Sequence, residues 1–190
     1  MKNHLVPAIL FTLFSVIALG IVYPLVMTGI SVLIFPAQAN GSPVTVNGKL
    51  VGSSIIGQLW TKPQYFHGRP SAAGKGYDPT STGGTNLAPT SKKLIEATRA
   101  AIVALKKENP DAKGPIPMDL ITSSASGIDP DISVEGAYYQ VPRIAKARGL
   151  APATVYTLVD RQAQGRTLGF LGEPRVNVLE LNLSLDGAKS

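Results

Sequence analysis

A long uncharged apolar segment at the N-terminus constrains this chain more than any other feature. Residues 5–35 contain no charged side chain, and the first charge after Lys2 is Lys49. A helix needs roughly 20 apolar residues to cross the hydrocarbon core of a bilayer. The sequence therefore predicts a transmembrane helix with a short N-terminal tip in residues 1–36, followed by one soluble domain in residues 37–190.

A cleaved secretion signal is the alternative interpretation of the same segment. Ala37-Gln38-Ala39 has the small-x-small form of a cleavage site, which would release the domain as a secreted binding protein. Secretion signals, however, have an apolar region of about 7–15 residues after a clearly basic start. This segment is much longer and its start is weakly basic, so a retained anchor is favoured.

The charges beside the segment predict its orientation. Lys2 lies at one end, whereas residues 36–48 carry no charge at the other. Positive residues beside a membrane span favour the cytoplasmic side. We therefore expect the N-terminus in the cytoplasm and the domain on the extracytoplasmic side.

Four residues of the segment share one predicted helix face. Gly20, Pro24, Thr28 and Ser31 are spaced by four, four and three residues, which places them on the same side of a helix. Small residues let a second membrane helix approach closely, and Pro24 is expected to kink the helix. The alternative is that glycine and proline are simply more frequent in membrane helices. If the face packs, its partner is a helix of another chain.

The composition excludes several function classes. The chain has no cysteine, so disulfides and thiolate metal sites are impossible. Its 18 basic and 12 acidic residues are intermixed, and only 6% of the residues are aromatic. Nucleic-acid readers instead concentrate basic residues on one face and interleave aromatic ones. We therefore expect no nucleic-acid partner, and a mildly basic surface suits the neighbourhood of membrane lipid headgroups.

The helical patterns of the domain predict an α+β fold in which helices dominate and the β-sheet is small. Ser133 is a predicted N-cap, Gly149 a predicted helix end, and Pro142 is expected to bend or split the helix between them. The apolar periodicity predicts helices at 91–108, 133–148 and 152–164.

The remaining patterns predict short or irregular elements. Asn47-Gly48 predicts the turn of a β-hairpin. Residues 53–60 predict a short helix or turn with its large apolar side chains inward, and residues 115–122 predict an extended link. The leucines at alternate positions of 175–185 predict a half-buried strand.

Residues 58–89 form a long segment with neither a helical nor a strand period. The segment is rich in glycine and proline, and irregular loops longer than about 12–15 residues are usually binding surfaces or disordered. Tyr65, Phe66 and Tyr77 argue against disorder, because disordered segments are poor in aromatic residues.

Patterns for phosphate and metal binding are absent or incomplete. Residues 68–76 lack the glycine spacing and the hydroxyl residue of a P-loop. Residues 129–135 alternate like calcium ligands, but the loop glycine and the bidentate glutamate that a calcium loop requires are missing. We therefore predict no metal site and assign no cofactor-binding residue.

A nucleophilic triad is the one catalytic arrangement that the residues allow. His67 would act with Ser124 or Ser126 and with Asp129. Neither serine lies in a nucleophile-elbow motif. We predict no catalytic residue, and an anchored extracytoplasmic hydrolase that uses His67 is the alternative.

Six blocks of sequence follow the N-terminal span, at residues 52–58, 65–72, 83–87, 122–130, 140–149 and 174–182. In this order, they resemble the C subunit of the bacterial Kdp-type potassium-transporting P-type ATPase complex. One departure is visible, since Asp131 and Val134 stand where that family usually has histidine and proline.

The resemblance implies a single-pass accessory subunit of the bacterial inner (plasma) membrane. Its implied partners are a potassium-channel-like subunit and a P-type ATPase subunit, so that ATP and potassium are handled by the complex. The family's C subunit is needed for assembly and is described as a catalytic chaperone that raises ATP affinity. An extracytoplasmic domain does not meet cytoplasmic ATP, so we expect any such effect to pass through helix contacts, with a stabilising or gating role near the potassium entrance.

The resemblance also suggests a use for residues 58–89. Tyr65, Phe66, Arg69 and Asn86 would offer an aromatic and polar surface that suits a partner protein. The alternative is that these side chains pack internally and hold the loop itself.

Overall fold

The computed structural model describes residues 2–187, and the chain divides into two compact units, Met1–Val51 and Gly52–Ser190. The sequence predicts a domain boundary after residue 36, at the end of the apolar segment, whereas the two compact units meet between Val51 and Gly52. It stays a prediction.

The first unit begins with the predicted apolar helix. Helix α1 (Lys2–Ile17) passes through a π-helical turn (Ala18–Val22) into α2 (Tyr23–Ile34). Among the described residues, His4–Ile34 is the one helix that is long and apolar enough to cross a membrane, with a mean hydropathy of 2.6. The prediction of an N-terminal spanning helix is therefore confirmed in length and composition.

Pro24 alters the turn that precedes it. Proline has no N–H, so it leaves the carbonyl of Gly20 without its usual α-helical donor. The Tyr23 N–H donates to the carbonyl of Ala18, which is the five-residue spacing of a π turn. The disturbance that Pro24 predicts is thus present as a widened turn, and the helix continues through it.

A β-hairpin completes the first unit. Phe35 leaves the helical conformation with φ −130° and is followed by the short helix α3 (Pro36–Ala39). Strands β1 (Pro43–Val46) and β2 (Lys49–Ser53) then pair with each other. Asn47 and Gly48 have φ values of 51° and 75°, as the predicted type I′ turn requires.

The second unit combines four helices with a three-stranded antiparallel sheet in the order β3-β5-β4. Ile132 and Ala163, from the two outer strands, both pair with Val176 of the central strand. The elements are α4 (Lys92–Glu108), β3 (Asp131–Ile132), α5 (Val134–Arg148), α6 (Pro152–Gln162), β4 (Ala163–Gln164), β5 (Arg175–Asn177) and α7 (Val178–Gly187).

The three helices predicted in this unit are confirmed. The Ser133 hydroxyl accepts a hydrogen bond from the Gly136 N–H at 2.9 Å and caps α5, and Gly149 ends the helix with φ 67°. Pro142 does not split α5, which is continuous. Helix α6 ends at Gln162, two residues before the predicted end, because Ala163 and Gln164 pair with β5.

The prediction of a strand over 175–185 is wrong beyond Asn177. Helix α7 begins at Val178, and the Asn177 side-chain oxygen accepts from the Glu180 N–H at 3.2 Å as a cap. Val178, Leu181 and Leu185 are all buried, and their spacing of three and four residues is helical. Leucines at every second position fit the period of a strand, but the residues that are buried follow the period of the helix.

Two smaller predictions need correction. Residues 53–60 form a turn, but Ile55 and Leu59 are 57% and 61% exposed rather than inward. The link at 115–122 contains a 3-10 turn, Met118–Leu120.

The core lies among α5, α6, α7 and β5, with Phe66 of the long loop added to it. Helix α4 contributes no fully buried residue, although Leu105 packs against the core from one side. The most completely buried aliphatic side chains are Ile132, Val141, Ile144, Val155, Val159, Val176, Leu181 and Leu185.

Candidate functional site

Residues 58–89 contain no helix or strand, yet side chains from α5 and α7 hold part of this loop firmly. We call residues 63–67 the clamped segment. We call the four side chains that bind it the clamp: Gln140, Arg143 and Arg148 of α5 and Asn182 of α7.

Two amide side chains bind consecutive backbone units of the clamped segment. Asn182 accepts from the Phe66 N–H at 2.8 Å and donates to the Phe66 carbonyl at 3.0 Å. Gln140 accepts from the His67 N–H at 2.8 Å and donates to the His67 carbonyl at 3.1 Å. Both amides are buried, with exposures of 0% and 1%. The loop therefore satisfies its buried backbone groups with side chains instead of a neighbouring strand.

Arg143 provides most of the remaining bonds to the clamped segment. Its guanidinium donates to the carbonyls of Pro63 and Tyr65, to the Gln140 side-chain oxygen at 2.8 Å, and to the Asn109 side-chain oxygen at 2.9 Å. The residue is only 8% exposed. Burial lowers the pKa of Arg143, and the nearby Glu108 carboxylate opposes that shift.

Arg148 binds the segment at its outer edge. Its Nε donates to the Gln64 carbonyl at 2.8 Å, and an Nη atom pairs with Asp186 at 2.6 Å. The guanidinium also lies 4.9 Å from the centre of the Tyr65 ring, a cation–π distance. The Tyr65 hydroxyl donates to Asp186 at 3.1 Å, so Tyr65 is held on both its ring and its hydroxyl.

The next part of the loop packs against the turn at 124–130. The Ser71 hydroxyl donates to the Gly127 carbonyl at 2.5 Å and accepts from the Tyr77 N–H at 2.8 Å. Gly127 has φ 71°, and an added Cβ atom would lie 2.7 Å from the Cβ of Ala73. Only glycine fits this close approach of two backbones.

An ion pair and a tyrosine connect the same two segments. Arg69 pairs with Asp129 at 3.0 Å, and the Tyr77 hydroxyl donates to the Arg69 carbonyl at 2.7 Å. Burial, followed by the Asp129 charge, raises the pKa of Tyr77 to about 12. Tyr77 therefore stays neutral and keeps donating this hydrogen bond at physiological pH.

A cavity of about 360 Å³ lies between the loop and α4. His67, Arg69 and Lys75 line it from the loop, and Leu105 and Glu108 line it from α4. The His67 Nδ1 is 2.7 Å from a Glu108 oxygen, which in turn is 3.5 Å from the Arg143 Nε. The hydrogen bond from His67 lowers the pKa of Glu108, assisted by the charges nearby and opposed by burial.

The arrangement that a hydrolase would need is not assembled. The His67 ring contacts Glu108 through Nδ1 and the Lys62 carbonyl, at 3.0 Å, through Nε2. Ser124 and Ser126 accept bonds from backbone N–H groups of their own turn, and Asp129 pairs with Arg69. The hydrolase interpretation therefore receives no support.

The structure separates the four loop residues that the sequence grouped as a partner surface. Phe66 is fully buried, so its predicted place on that surface is wrong, because its ring belongs to the core. Tyr65 and Arg69 are half-buried and make the internal contacts described above. Asn86 is exposed, with φ 50°. Internal packing, the alternative interpretation of the loop, accounts for three of the four side chains.

The four membrane-segment residues remain candidates for a helix contact. Gly20 lies in the π turn, and Pro24, Thr28 and Ser31 lie in α2. Gly20, Pro24 and Thr28 are exposed, and Ser31 is half-exposed. Their shared role in packing stays a prediction.

Asp131, which stands where the resembling family usually has histidine, has partners of its own. It lies in β3, pairs with Arg175 at 3.2 Å and accepts from the Asn177 side chain at 3.3 Å. Burial, followed by the charge of Asp129, raises the pKa of Asp131. Here the position therefore serves as an anchor for the edge of the sheet.

The sequence reasoning missed an exposed apolar tip, which we define as Leu168, Phe170 and Leu171. These side chains are 79%, 68% and 48% exposed, on a turn closed by pairing of Thr167 with Leu171. Leu168 adopts φ 55°, which is costly for a branched residue. The sequence does carry a signal for this tip, because its apolar residues lie between glycines that favour turns.

Comparisons with known proteins agree with one another over nearly the whole chain. A family model described as "K+-transporting ATPase, c chain" matches residues 5–187. The chain is 50% identical, over its full length, to 97% of a protein of Koribacter versatilis named "Potassium-transporting ATPase KdpC subunit". Proteins of the same name from Acidobacterium capsulatum and Myxococcus xanthus are each 53% identical, over 97% and 90% of this chain and 98% and 82% of their own.

Proposed function

The chain belongs to the c-chain family of K+-transporting ATPases, and from this membership we propose how its two units serve the complex. It is an accessory subunit of a potassium pump and not the catalytic chain. The proposal concerns its partners, its orientation and the surfaces that it uses.

The membrane helix is proposed to lie in the inner membrane with its N-terminus in the cytoplasm. The absence of charge in residues 36–48, beside Lys2 at the other end, supports this orientation. The face that contains Gly20, Pro24, Thr28 and Ser31 is proposed to pack against a helix of the channel-like or the P-type ATPase subunit. Small side chains on that face support close packing in lipid.

The apolar tip is proposed to dock on an apolar surface of the potassium-channel-like subunit outside the membrane. The observation that carries this proposal is the exposure of Leu168 and Phe170, at 79% and 68%, on a turn with a strained leucine. Large apolar anchors of this kind carry most of the energy of a protein interface. Strained backbone is retained where it serves a function.

The clamp makes the domain suitable as a rigid support for assembly. Its bonds fix residues 63–67 to α5 and α7, so this part of the domain has few internal degrees of freedom. Any effect of the subunit on the ATP affinity of the ATPase subunit is proposed to be indirect. It would result from contacts between the subunits, as coupling between two separate sites. Under this proposal the purified full chain in detergent does not bind a fluorescent ATP analogue.

Co-purification tests the docking of the tip. The double variant Leu168→Ser, Phe170→Ser is expected to lower recovery of the two large subunits by about tenfold or more, since each interface anchor contributes at least about 1 kcal/mol. Met118→Ser is the matched control, because Met118 is 65% exposed outside the tip. Full recovery of a potassium-stimulated complex with the double variant would refute the proposal.

A further inference from the structure

Helix α4 is the most basic of the four α-helices in the second unit, and the other three each contain fully buried residues. It has 17 residues, none of them fully buried. Only Glu96 and Glu108 are acidic, and Glu108 faces the cavity described above. Its five basic residues are all exposed: Lys92, Lys93, Arg99, Lys106 and Lys107.

The helix has a distinct inner and outer face. Leu94, Ala101 and Leu105 are half-buried and recur at helical spacing, so they define the inner face. Val103 lies on the opposite side and is 69% exposed, and Ile95, at the border of the two faces, is 43% exposed. The outer face therefore presents Arg99, Lys106 and Lys107 around Val103. Its one acidic residue, Glu96, is exposed and lies 3.8 Å from Lys92, so basic groups remain in excess.

We propose that the outer face of α4 binds a lipid surface that carries anionic headgroups. The charges are complementary, and Lys and Arg side chains place their ammonium and guanidinium groups among headgroup phosphates while their methylene stems lie on apolar surface. Val103 at the centre of the face supplies a small apolar contact with the interface.

The membrane helix of the same chain favours lipid over other anionic partners. A domain joined to a membrane-spanning segment meets that membrane at a high effective concentration, so weak surface contacts become populated. The outer face also lacks the cluster of large apolar side chains that a protein interface places at its centre. The inference depends on the membrane anchor and is independent of the docking of the apolar tip.

The size of the effect follows from the charge. Each Lys or Arg near an anionic membrane surface contributes enough to change the ratio of lipid-bound to free α4 by roughly fivefold. Replacing three of them, Arg99, Lys106 and Lys107, by Gln is therefore expected to lower that ratio by about 100-fold. Raising the salt concentration to about 1 M, where the screening length is about 3 Å, should have a similar effect.

Lipid-dependent quenching tests the proposal on the full chain. The chain has no cysteine, so Val103→Cys accepts a single fluorophore. The labelled chain is reconstituted in vesicles of phosphatidylcholine alone or with about one third phosphatidylglycerol, each containing a headgroup-linked quencher lipid. We expect strong quenching in the anionic vesicles and weak quenching in the neutral ones. Ala153→Cys, on the exposed side of α6, is the control label and should respond to neither.

A second charge variant separates the face of α4 from overall charge. The triple variant Lys62→Gln, Lys113→Gln, Arg161→Gln removes three exposed charges outside α4 and should leave the quenching at position 103 unchanged. Equal quenching in neutral and anionic vesicles, or equal loss with both triple variants, would overturn the proposal. Absence of quenching at position 103 in both vesicle types would overturn it as well.

Discussion

The clamped segment and helix α4 are opposites: the first is held by buried side chains but has no regular secondary structure, and the second is regular but has no fully buried side chain. Residues 63–67 have no regular secondary structure, but buried side chains bind their backbone, and Phe66 is fully buried. Helix α4 has 17 residues of regular backbone and not one fully buried side chain. Regular backbone hydrogen bonding and burial by tertiary contacts are therefore separate properties. In this domain they are found in different segments.

The difference indicates how the domain divides its tasks. The clamped segment contributes to the stability of the free chain, because its polar bonds are shielded from water. Helix α4 and the apolar tip are held from one side and leave a face open, as surfaces that bind something else do.

Arg143→Met is expected to destabilise the domain by about 3–5 kcal/mol, because it removes a buried charge partner and leaves several acceptors without donors. Urea unfolding of the full chain in detergent measures the loss, with the fluorescence of Trp60, the chain's single tryptophan, as the signal. Arg99→Met on the exposed side of α4 is the matched control and should change stability by less than about 0.5 kcal/mol. Equal effects of the two variants would contradict the division.

Gly127→Ala is expected to cost about 2–4 kcal/mol, the sum of a left-handed backbone penalty and a steric overlap with Ala73. Gly149→Ala is the control: Gly149 has φ 67°, but apart from its chain neighbours nothing lies within 4 Å of an added Cβ. The control should lose only about 1–2 kcal/mol. The difference between the two variants measures how tightly the loop packs on the turn at 124–130, and similar losses would mean that it packs loosely.

Glu108 joins the two regions, since it ends α4 and contacts His67 and Arg143. The hydrogen bond with His67 holds its pKa below the ordinary value of 4.5 in the folded chain. Its contribution is therefore present above that value and is lost as the pH falls through the folded-state pKa. In the Glu108→Gln variant, the free energy of unfolding should fall less steeply as the pH is lowered through this range. Urea unfolding at several pH values measures it. An unchanged pH profile would show that the contact is not formed.

Val103→Ser on the outer face of α4 should change the free energy of unfolding by no more than about 0.5 kcal/mol, because the side chain is 69% exposed. The same substitution should still weaken the lipid contact. Thermal unfolding in detergent tests the first expectation, with Leu105→Ser, on the inner face, as a clearly destabilising control. A loss above about 1 kcal/mol for Val103→Ser would mean that the outer face is covered within the chain.

Local signals were sufficient to predict the N-terminal helix, the hairpin and the helices α4, α5 and α6, but not α7. The apolar periods of α4, α5 and α6 lie within each helix, and the cap residues of α5 lie at its two ends. The Asn47-Gly48 turn is likewise set by its own two residues. The apolar helix at the N-terminus follows from its length and composition alone.

Features that depend on distant partners were not predictable in the same way. Phe66 and Asn182 are 116 residues apart in the chain, and nothing near either residue indicates the pairing. Two predictions fail at these residues: Phe66 lies in the core rather than on a partner surface, and Asn182 lies in α7 rather than in the predicted strand. The blocks that resemble the C-subunit family identified the protein, but they did not show which side chains are internal.

Amide hydrogen exchange, measured on the free chain in detergent and on the assembled complex in membranes, distinguishes internally fixed segments from segments that bind a partner. In the free chain, we expect the Phe66 and His67 amides to exchange more slowly than those of α4, despite the regular structure of the helix. On assembly, α4 and residues 167–171 should gain protection while Phe66 and His67 do not change. Fast exchange at Phe66 and His67 in the free chain, or protection gained there on assembly, would contradict these expectations.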